Sequence, residues 1–227
     1  MHINTARDDH TLWMKPLLQI AMDYVGGDEV LLLAESVRAY ADILDIGTLL
    51  LKKEGMGVIK KVKQAFPDKL VFADTRTLDL GQLEARAVFA AGADMMSVCS
   101  IASDTTIEQA IQEARVLGKK VLVELIGISD FRRQMKRLCN LQPDYIAIHI
   151  GIDERHTDAP LFDRVECISP ITRLPLAVAG GIKLDDIPYL LVFQPAIIVV
   201  GAAITKAPHP QDAAKEFWER IHTDNVE

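Results

Sequence analysis

Short apolar segments alternate with longer amphipathic segments along almost the whole chain, and this alternation limits the possible folds. Amphipathic helical patterns cover, for example, residues 58–66, 82–91, 106–117 and 211–221. One strand-helix unit takes roughly 25–30 residues, the size of a βα repeat. Most of the apolar segments are continuous rather than alternating, which is typical of strands covered on both faces. The eight predicted strands are residues 17–22, 43–46, 69–73, 95–98, 121–125, 145–148, 174–178 and 196–200.

Eight such units in 227 residues leave little room for insertions. We therefore predict an α/β fold, a single (β/α)8 TIM barrel with short loops, over residues 15–222. Residues 1–14 are expected to form an N-terminal arm and residues 223–227 a C-terminal tail. A doubly wound open sheet is the alternative.

The predicted strands end in unusually polar residues, and a barrel brings all these ends to one pocket. A single aspartate there would be explained by helix capping, whereas several carboxylates and a histidine would repel, shift their pKa values or bind a cation. Hard oxygen ligands favour Mg2+. Asp45 and Asp74, on neighbouring strands, are the predicted ligand pair. The polar strand-end residues are Asp23, Asp45, Asp74, Glu124 and His149.

The segment from Asp74 to Asp79 reads Asp-Thr-Arg-Thr-Leu-Asp and directly follows the third predicted strand. It places two carboxylates and the Arg76 guanidinium at the edge where α/β folds carry their chemistry. The alternative interpretation is a solvated loop with a helix cap.

Glycines follow the last two strands, at Gly180-Gly181 and at Gly201-Ala202. Loops after strands seven and eight commonly bind phosphate in such barrels, because glycine lets an anion approach backbone N–H groups. Tight turns that need small residues are the alternative explanation.

Composition limits the partners and the compartment. A net charge of −7 and a pI near 5.4 argue against nucleic acid as the main partner. Three widely spaced cysteines without a C-x-x-C pair suggest a reduced, cytoplasmic protein. No secretory signal and no apolar run of membrane-spanning length are recognised. Cys99, after the fourth strand, is interpreted mainly as a small buried side chain.

Four segments, residues 18–23, 42–48, 74–79 and 177–182, resemble the orotidine-monophosphate-decarboxylase superfamily. The similarity extends over nearly the whole chain beyond about residue 16, with few gaps. The nearest branches are 3-hexulose-6-phosphate synthase and 3-keto-L-gulonate-6-phosphate decarboxylase. Residues 149–153, His-Ile-Gly-Ile-Asp, are similar to the synthase branch, whereas Glu124 is closer to the decarboxylases.

The resemblance implies a homodimer with active sites at the interface and a phosphorylated sugar as substrate. It assigns Mg2+ to Asp45 and Asp74, proton transfer to His149, and the phosphate to Gly180, Gly181, Gly201 and Ala202. It also implies that Asp79 reaches the neighbouring subunit's site. Asp74, Arg76 and Asp79 join His149 as catalytic residues, and Asp23 and Glu124 orient sugar hydroxyls.

Two positions depart from the family pattern, which has lysine at 76 and glutamate at 45. Arginine is a poor acid, although it can stabilise an enediolate. Asp45 is one methylene shorter than glutamate. The reaction implied is aldol addition of formaldehyde to ribulose 5-phosphate through a metal-stabilised enediolate. A β-keto sugar-acid phosphate decarboxylase is the alternative, and a non-catalytic sugar-phosphate-binding relative is the second alternative.

Overall fold

The computed structural model describes residues 15–23, 26–154 and 161–223. Its eight strands are all parallel and close into a barrel in sequence order. The (β/α)8 prediction is confirmed, and the alternative of an open sheet is wrong. The strands are β1 (Leu17–Ala21), β2 (Ile43–Ile46), β3 (Leu70–Thr77), β4 (Met95–Cys99), β5 (Lys120–Glu124), β6 (Tyr145–His149), β7 (Leu176–Ala179) and β8 (Ile197–Val200).

The helices surround the barrel. None of those in the described part of the chain is long and apolar enough to span a membrane. The predicted arm, residues 1–14, and residues 224–227 of the predicted tail lie outside the described residues. The helices are α1 (Glu29–Val37), α2 (Thr48–Glu54), α3 (Gly57–Ala65), α4 (Gly81–Ala90), α5 (Asp104–Val116), α6 (Phe131–Leu141), α7 (Leu161–Ile168), α8 (Ile187–Leu191), α9 (Ala202–Thr205) and α10 (Pro210–His222).

Two apolar clusters stabilise the barrel, a large one that includes the buried helix faces and a small one inside the barrel. Three members of the small cluster, Phe72, Leu122 and Ala147, also line the cavity at the carboxyl ends of the strands. The packed interior is therefore the floor of that cavity. The buried members of the small cluster are Ile43, Phe72, Met95, Leu122, Ala147, Ala177 and Ile197.

Aspartates at the opposite, amino-terminal end of the barrel join the strands in pairs. The residue before β2, Asp42, accepts a hydrogen bond from the backbone N–H of Leu18 in β1 at 2.8 Å. Asp94 before β4 and Asp144 before β6 accept in the same way from Val71 and Val121, both at 3.0 Å. The residue before β8 is Ala196, whose side chain has no acceptor. We call these three contacts the aspartate clamps.

The clamp at Asp94 carries the most charge. Its carboxylate also accepts hydrogen bonds from Lys63 and Lys119, both at 2.8 Å. Burial alone would raise the pKa of Asp94, but the two ammonium groups outweigh it and lower that pKa. The charged form of Asp94 therefore stabilises the folded state.

Replacing Asp94 by asparagine should lower the free energy of unfolding by about 2–4 kcal/mol, because two lysines lose their charged partner. Since the folded-state pKa is lowered, the contribution is present above the pKa of the unfolded chain and is lost as pH falls through the folded-state pKa. Urea unfolding between pH 7 and pH 3 should show the difference shrinking on acidification. Asp68→Asn, at an exposed ion pair with Arg38, is the control and should change little. Equal effects of the two variants on the free energy of unfolding would contradict the stabilising role of the Asp94 clamp.

Strand β3 is longer than predicted. It continues through the Asp-x-Arg segment to Thr77, where the sequence had suggested a loop after residue 73. The pairing with β4 is irregular between Ala73 and Thr77, which pair with Met96 and Val98 respectively. Three residues of β3 therefore lie opposite Ser97 alone. This is a β-bulge, a feature that re-aims side chains near active sites.

Candidate active site

The carboxyl ends of the strands open into a cavity of about 840 Å3. All but one of the predicted site residues line it, and the exception is Asp79, which is exposed outside it. Two further cations that the sequence analysis did not single out, Lys52 and Lys183, line the same cavity. The predicted residues found there are Asp23, Asp45, Asp74, Arg76, Glu124, His149, Gly180, Gly181, Gly201 and Ala202.

Three carboxyl groups, Asp45, Asp74 and Glu124, are buried at the bottom of this cavity. Burial raises the pKa of Asp45 well above its ordinary value, and the neighbouring carboxylates of Asp74 and Asp23 raise it further. Burial and the charge of Asp74 also raise the pKa of Glu124. For Asp74, burial is outweighed by Arg76 and by hydrogen bonds from Thr48 and Ser97, so its pKa is lowered. Asp74 is therefore the most acidic of the three carboxyl groups.

Arg76 lies between two of these acids. Its Nη2 is 3.3 Å from Asp74 Oδ2, and its Nε is 3.6 Å from Glu124 Oε2. The residue has a φ of 48°, in the left-handed region that non-glycine residues rarely adopt. The β3 bulge therefore holds the guanidinium over the acids at the cost of local backbone strain.

Ser97 of β4, which the sequence analysis missed, holds the bulge together. Its Oγ accepts a hydrogen bond from the Arg76 N–H and donates one to Asp74 Oδ1, both at 2.8 Å. Its backbone oxygen accepts from Thr75 Oγ1 at 2.7 Å. One buried hydroxyl thus fixes both the strained backbone of Arg76 and the orientation of the Asp74 carboxylate.

Replacing Ser97 by alanine should lower the free energy of unfolding by about 1–3 kcal/mol, because a buried N–H and a buried carboxylate each lose a partner. Urea denaturation measures the difference. Ser129→Ala, at an exposed position, is the matched control and should stay within about 0.5 kcal/mol of the original protein. A Ser97 variant as stable as this control would show that the bulge is held by other contacts.

Thr48 is a second residue that the sequence analysis missed. It begins α2, and its Oγ1 donates its proton to Asp74, lying 2.6 Å from the side-chain Oδ2 and 3.0 Å from the backbone oxygen. Together with Ser97 it leaves the Asp74 carboxylate little freedom to rotate. Pre-oriented charged groups of this kind are what a catalytic site requires.

His149, the last residue of β6, faces the same acids. Its Nδ1 is 3.6 Å from Glu124 Oε2, and the side chain is 17% exposed. The histidine can therefore reach a molecule in the cavity while Glu124 orients its ring. A histidine so placed is a suitable proton-transfer group.

Asp45 and Gln19 form a buried pair next to this group. Gln19 Nε2 donates a hydrogen bond to Asp45 Oδ2 at 2.8 Å. The other two oxygens, Gln19 Oε1 and Asp45 Oδ1, are buried and have no hydrogen-bond partner among the described residues. Gln19 was not among the predicted site residues, although a polar residue inside the apolar β1 was a signal for it.

These oxygens fit a hard divalent cation, because unpaired buried carboxylate and amide oxygens are the ligands such ions prefer. Among residues 15–23, 26–154 and 161–223, no three His, Cys, Asp or Glu side chains group closely enough to hold a metal ion. A cation held by Asp45 and Asp74 would therefore need oxygen ligands of other kinds.

The glycines line the same cavity. Gly180 and Gly181 have φ values of 129° and 74°, and a Cβ at Gly180 would lie 3.0 Å from Ile150, so the fold itself requires glycine at this turn. At Gly201 the nearest atom to an added Cβ is Ala21 Cβ at 3.7 Å, an ordinary contact. Packing therefore explains Gly180, but it does not explain Gly201.

Cys99 is half-buried, and its Sγ donates a hydrogen bond to the Arg76 backbone oxygen at 3.4 Å. Burial and the charge of Glu124 raise the pKa of the thiol to about 11. The thiol is therefore protonated at neutral pH and is a poor nucleophile. This agrees with its interpretation as a small packed side chain.

Comparison with known proteins gives consistent matches over the barrel. Residues 16–217 match the family model described as orotidine 5'-phosphate decarboxylase / HUMPS family. A 3-hexulose-6-phosphate synthase from Mycobacterium gastri is 39% identical over 204 residues, which cover 90% of this chain and 99% of the relative.

Two solved structures, one from each branch, share the fold of this chain. The 3-hexulose-6-phosphate synthase from Salmonella typhimurium has a TM-score of 0.87 and 31% identity, covering 92% of this chain and 98% of the other. A 3-keto-L-gulonate-6-phosphate decarboxylase from Vibrio cholerae has a TM-score of 0.81 and 26% identity, with the same two coverages of 92% and 98%. The sequence identity of this chain to the synthases is thus higher than its identity to this decarboxylase.

Proposed function

The chain belongs to the orotidine 5'-phosphate decarboxylase / HUMPS family, and from that membership we propose that it is a carbon–carbon lyase that joins formaldehyde to ribulose 5-phosphate, the 3-hexulose-6-phosphate synthase reaction. The observation that carries the proposal is the convergence, in one cavity, of His149, the buried carboxyl groups and the glycine turns. The identity to synthases over nine-tenths of the chain favours this reaction over others in the family.

The proposed chemistry begins with proton transfer at the carbon next to the ketose carbonyl. His149 removes that proton, and the electron pair left behind attacks the formaldehyde carbon. A new carbon–carbon bond forms, the formaldehyde π bond breaks, and its oxygen takes up a proton. Glu124 orients the His149 ring, and Arg76 offers positive charge to oxygens that become negative.

Asp45 and Asp74 are the proposed ligands of a divalent cation, which we assign as Mg2+. When bound, the ion would supply positive charge opposite the oxygens of the substrate that become negative. The unpaired Asp45 Oδ1 supports this assignment. Thr48 and Ser97 restrict the rotation of the Asp74 carboxylate, as is usual for the outer partners of a metal ligand.

The phosphate group is assigned to the backbone of Gly180, Gly181, Gly201 and Ala202, with Asp23 and Glu124 orienting sugar hydroxyls. Gly201 supports this, because an added side chain there would meet no packing obstacle and would take space from the cavity. Backbone N–H groups can bind an anion in a protein of net negative charge.

The proposal is tested by mixing the protein with ribulose 5-phosphate and formaldehyde. We expect formaldehyde to be consumed and a hexulose phosphate to appear by NMR, with EDTA stopping the reaction and Mg2+ restoring it. Carbon dioxide release from 3-keto-L-gulonate 6-phosphate, without formaldehyde consumption, would instead identify the decarboxylase. Binding of the sugar phosphate without any turnover would identify a non-catalytic relative.

We also propose a cytoplasmic homodimer in which Asp79 completes the partner's site. Asp79 is exposed outside its own cavity, between Leu78 and Leu80, which are 54% and 57% exposed. Leu83 and Ile101 add further exposed apolar surface, at 58% and 59%. An apolar surface of this kind around a charged residue is typical of a subunit interface.

Mixing two inactive variants tests this shared site. Asp79→Asn and His149→Ala should each be inactive alone, whereas a hybrid dimer contains one site with both residues intact. After subunit exchange, an equal mixture should regain about a quarter of the original activity, because half the dimers are hybrids with one working site each. A mixture as inactive as its components would show that Asp79 serves its own chain's site.

A further inference from the structure

Gln19 is buried at the floor of the cavity with only half of its amide satisfied. The side chain is 2% exposed and lines the cavity. Its Nε2 donates to Asp45 Oδ2 at 2.8 Å, while Oε1 has no partner among the described residues. With Asp45 ionised, as a metal ligand must be, the reverse orientation of the amide would place two acceptors at that distance, so the carboxylate fixes which atom is Nε2.

Gln19 Oε1 is not the only unpaired acceptor of this pair of residues, because Asp45 Oδ1 is also buried without a hydrogen-bond partner among the described residues. Buried polar atoms are almost always satisfied in native proteins, and leaving two neighbouring residues each with an unmet acceptor is unfavourable. Both atoms accept and neither donates, so what satisfies them must carry positive charge or donate protons. Such an oxygen pair has the chemistry of a divalent cation's ligands.

We propose that Gln19 Oε1, together with Asp45 Oδ1, is a ligand of the divalent cation. The inference rests on the proposed function, which supplies the cation, and it adds a ligand from β1 to those on β2 and β3. It also explains how aspartate can replace the family's glutamate at position 45 as a ligand. Gln19 fixes one oxygen of Asp45 and contributes another ligand oxygen itself. Gln19 thereby provides the ligand that His, Cys, Asp and Glu of the described chain do not.

Mn2+ is the probe, because its free concentration can be followed by electron paramagnetic resonance without substrate or turnover. Two variants separate a ligand from a simple hydrogen-bond donor. Gln19→Met removes both the oxygen and the N–H group, and we expect Mn2+ affinity to fall at least about tenfold. Gln19→Glu keeps the shape and an oxygen but loses the N–H group, and we expect affinity equal to or tighter than that of the original protein.

Gln64→Met, an exposed position on α3, is the matched control and should leave Mn2+ affinity unchanged. Equal affinity in the original protein and both Gln19 variants would overturn the inference. So would an equal loss in both variants, because Gln19 would then act only as a donor to Asp45. If the methionine variant does not fold, weaker binding by the glutamate variant alone overturns it.

Failure of the proposed function has a different signature. If the original protein binds no Mn2+ yet consumes formaldehyde in EDTA, the cation itself is excluded and Gln19 has no ion to ligate. If it binds Mn2+ with the predicted dependence on Gln19 but turns over no sugar phosphate, the ligand assignment stands and the reaction assignment fails.

Discussion

Alanine at position 149 is expected to lower kcat for the aldol addition by about 10²- to 10⁴-fold, the usual contribution of a positioned acid-base group. Since His149 is placed to move a proton rather than to hold the phosphate, the affinity for ribulose 5-phosphate should change much less. The more direct measurement is proton NMR in D2O, in which exchange of the hydrogen next to the carbonyl should disappear.

His209→Ala is the control for this result, because that histidine is exposed and does not line the cavity. It should retain both exchange and turnover. Exchange that continues unchanged in the His149 variant would remove His149 from the proton-transfer step. The remaining candidate for that step would then be Glu124, whose pKa is raised by burial.

Glutamine in place of Arg76 is expected to lower kcat/KM by about 10²- to 10³-fold and to change its pH dependence. Arg76 opposes the effect of burial on the pKa values of Asp74 and Glu124. Without the guanidinium both pKa values rise. If the reaction needs these groups ionised, the acidic limb of the pH profile moves to higher pH. At pH values above the shifted limb, the activity of the variant recovers in part.

Arg76→Lys is the matched variant, because it keeps the positive charge but loses the planar guanidinium. Its acidic limb should stay close to that of the original protein, whatever happens to the maximum rate. A glutamine variant with an unshifted limb would show that Arg76 does not control the ionisation of these acids. Measuring kcat/KM from pH 5 to pH 9 for the three proteins distinguishes these outcomes.

The periodic features of this chain could be predicted from its sequence. Continuous apolar segments at regular spacing identified all eight strands, and barrel geometry then implied that residues such as Asp45, Glu124 and His149 meet in one cavity. That inference needs only the direction of each strand. It does not need side-chain orientation, which is why it succeeded.

The features that were missed depend on register and on single contacts. The extension of β3 to Thr77 follows from its irregular pairing with β4, which no local pattern in residues 74–77 reveals. Ser97 is one small polar residue within an apolar strand, and its importance comes from Arg76 and Asp74, more than 20 positions earlier. The sequence around Gln19 did contain a signal of its role, because a glutamine within an apolar strand is an exception to the usual exposure of amide side chains.

The aspartate clamps divide the barrel into two unequal parts, three strand pairs that carry a clamp and one pair that does not. Asp45, Asp74, Glu124 and His149 stand on β2, β3, β5 and β6, all of which belong to strand pairs held by a clamp. The glycine turns follow β7 and β8, the pair that has alanine where the others have aspartate. The proposed reacting groups are thus on clamped strand pairs, whereas the turns proposed to hold the phosphate follow the unclamped pair. We therefore expect the phosphate end of the site to be the less rigid one, which suits release of product without displacement of the catalytic groups.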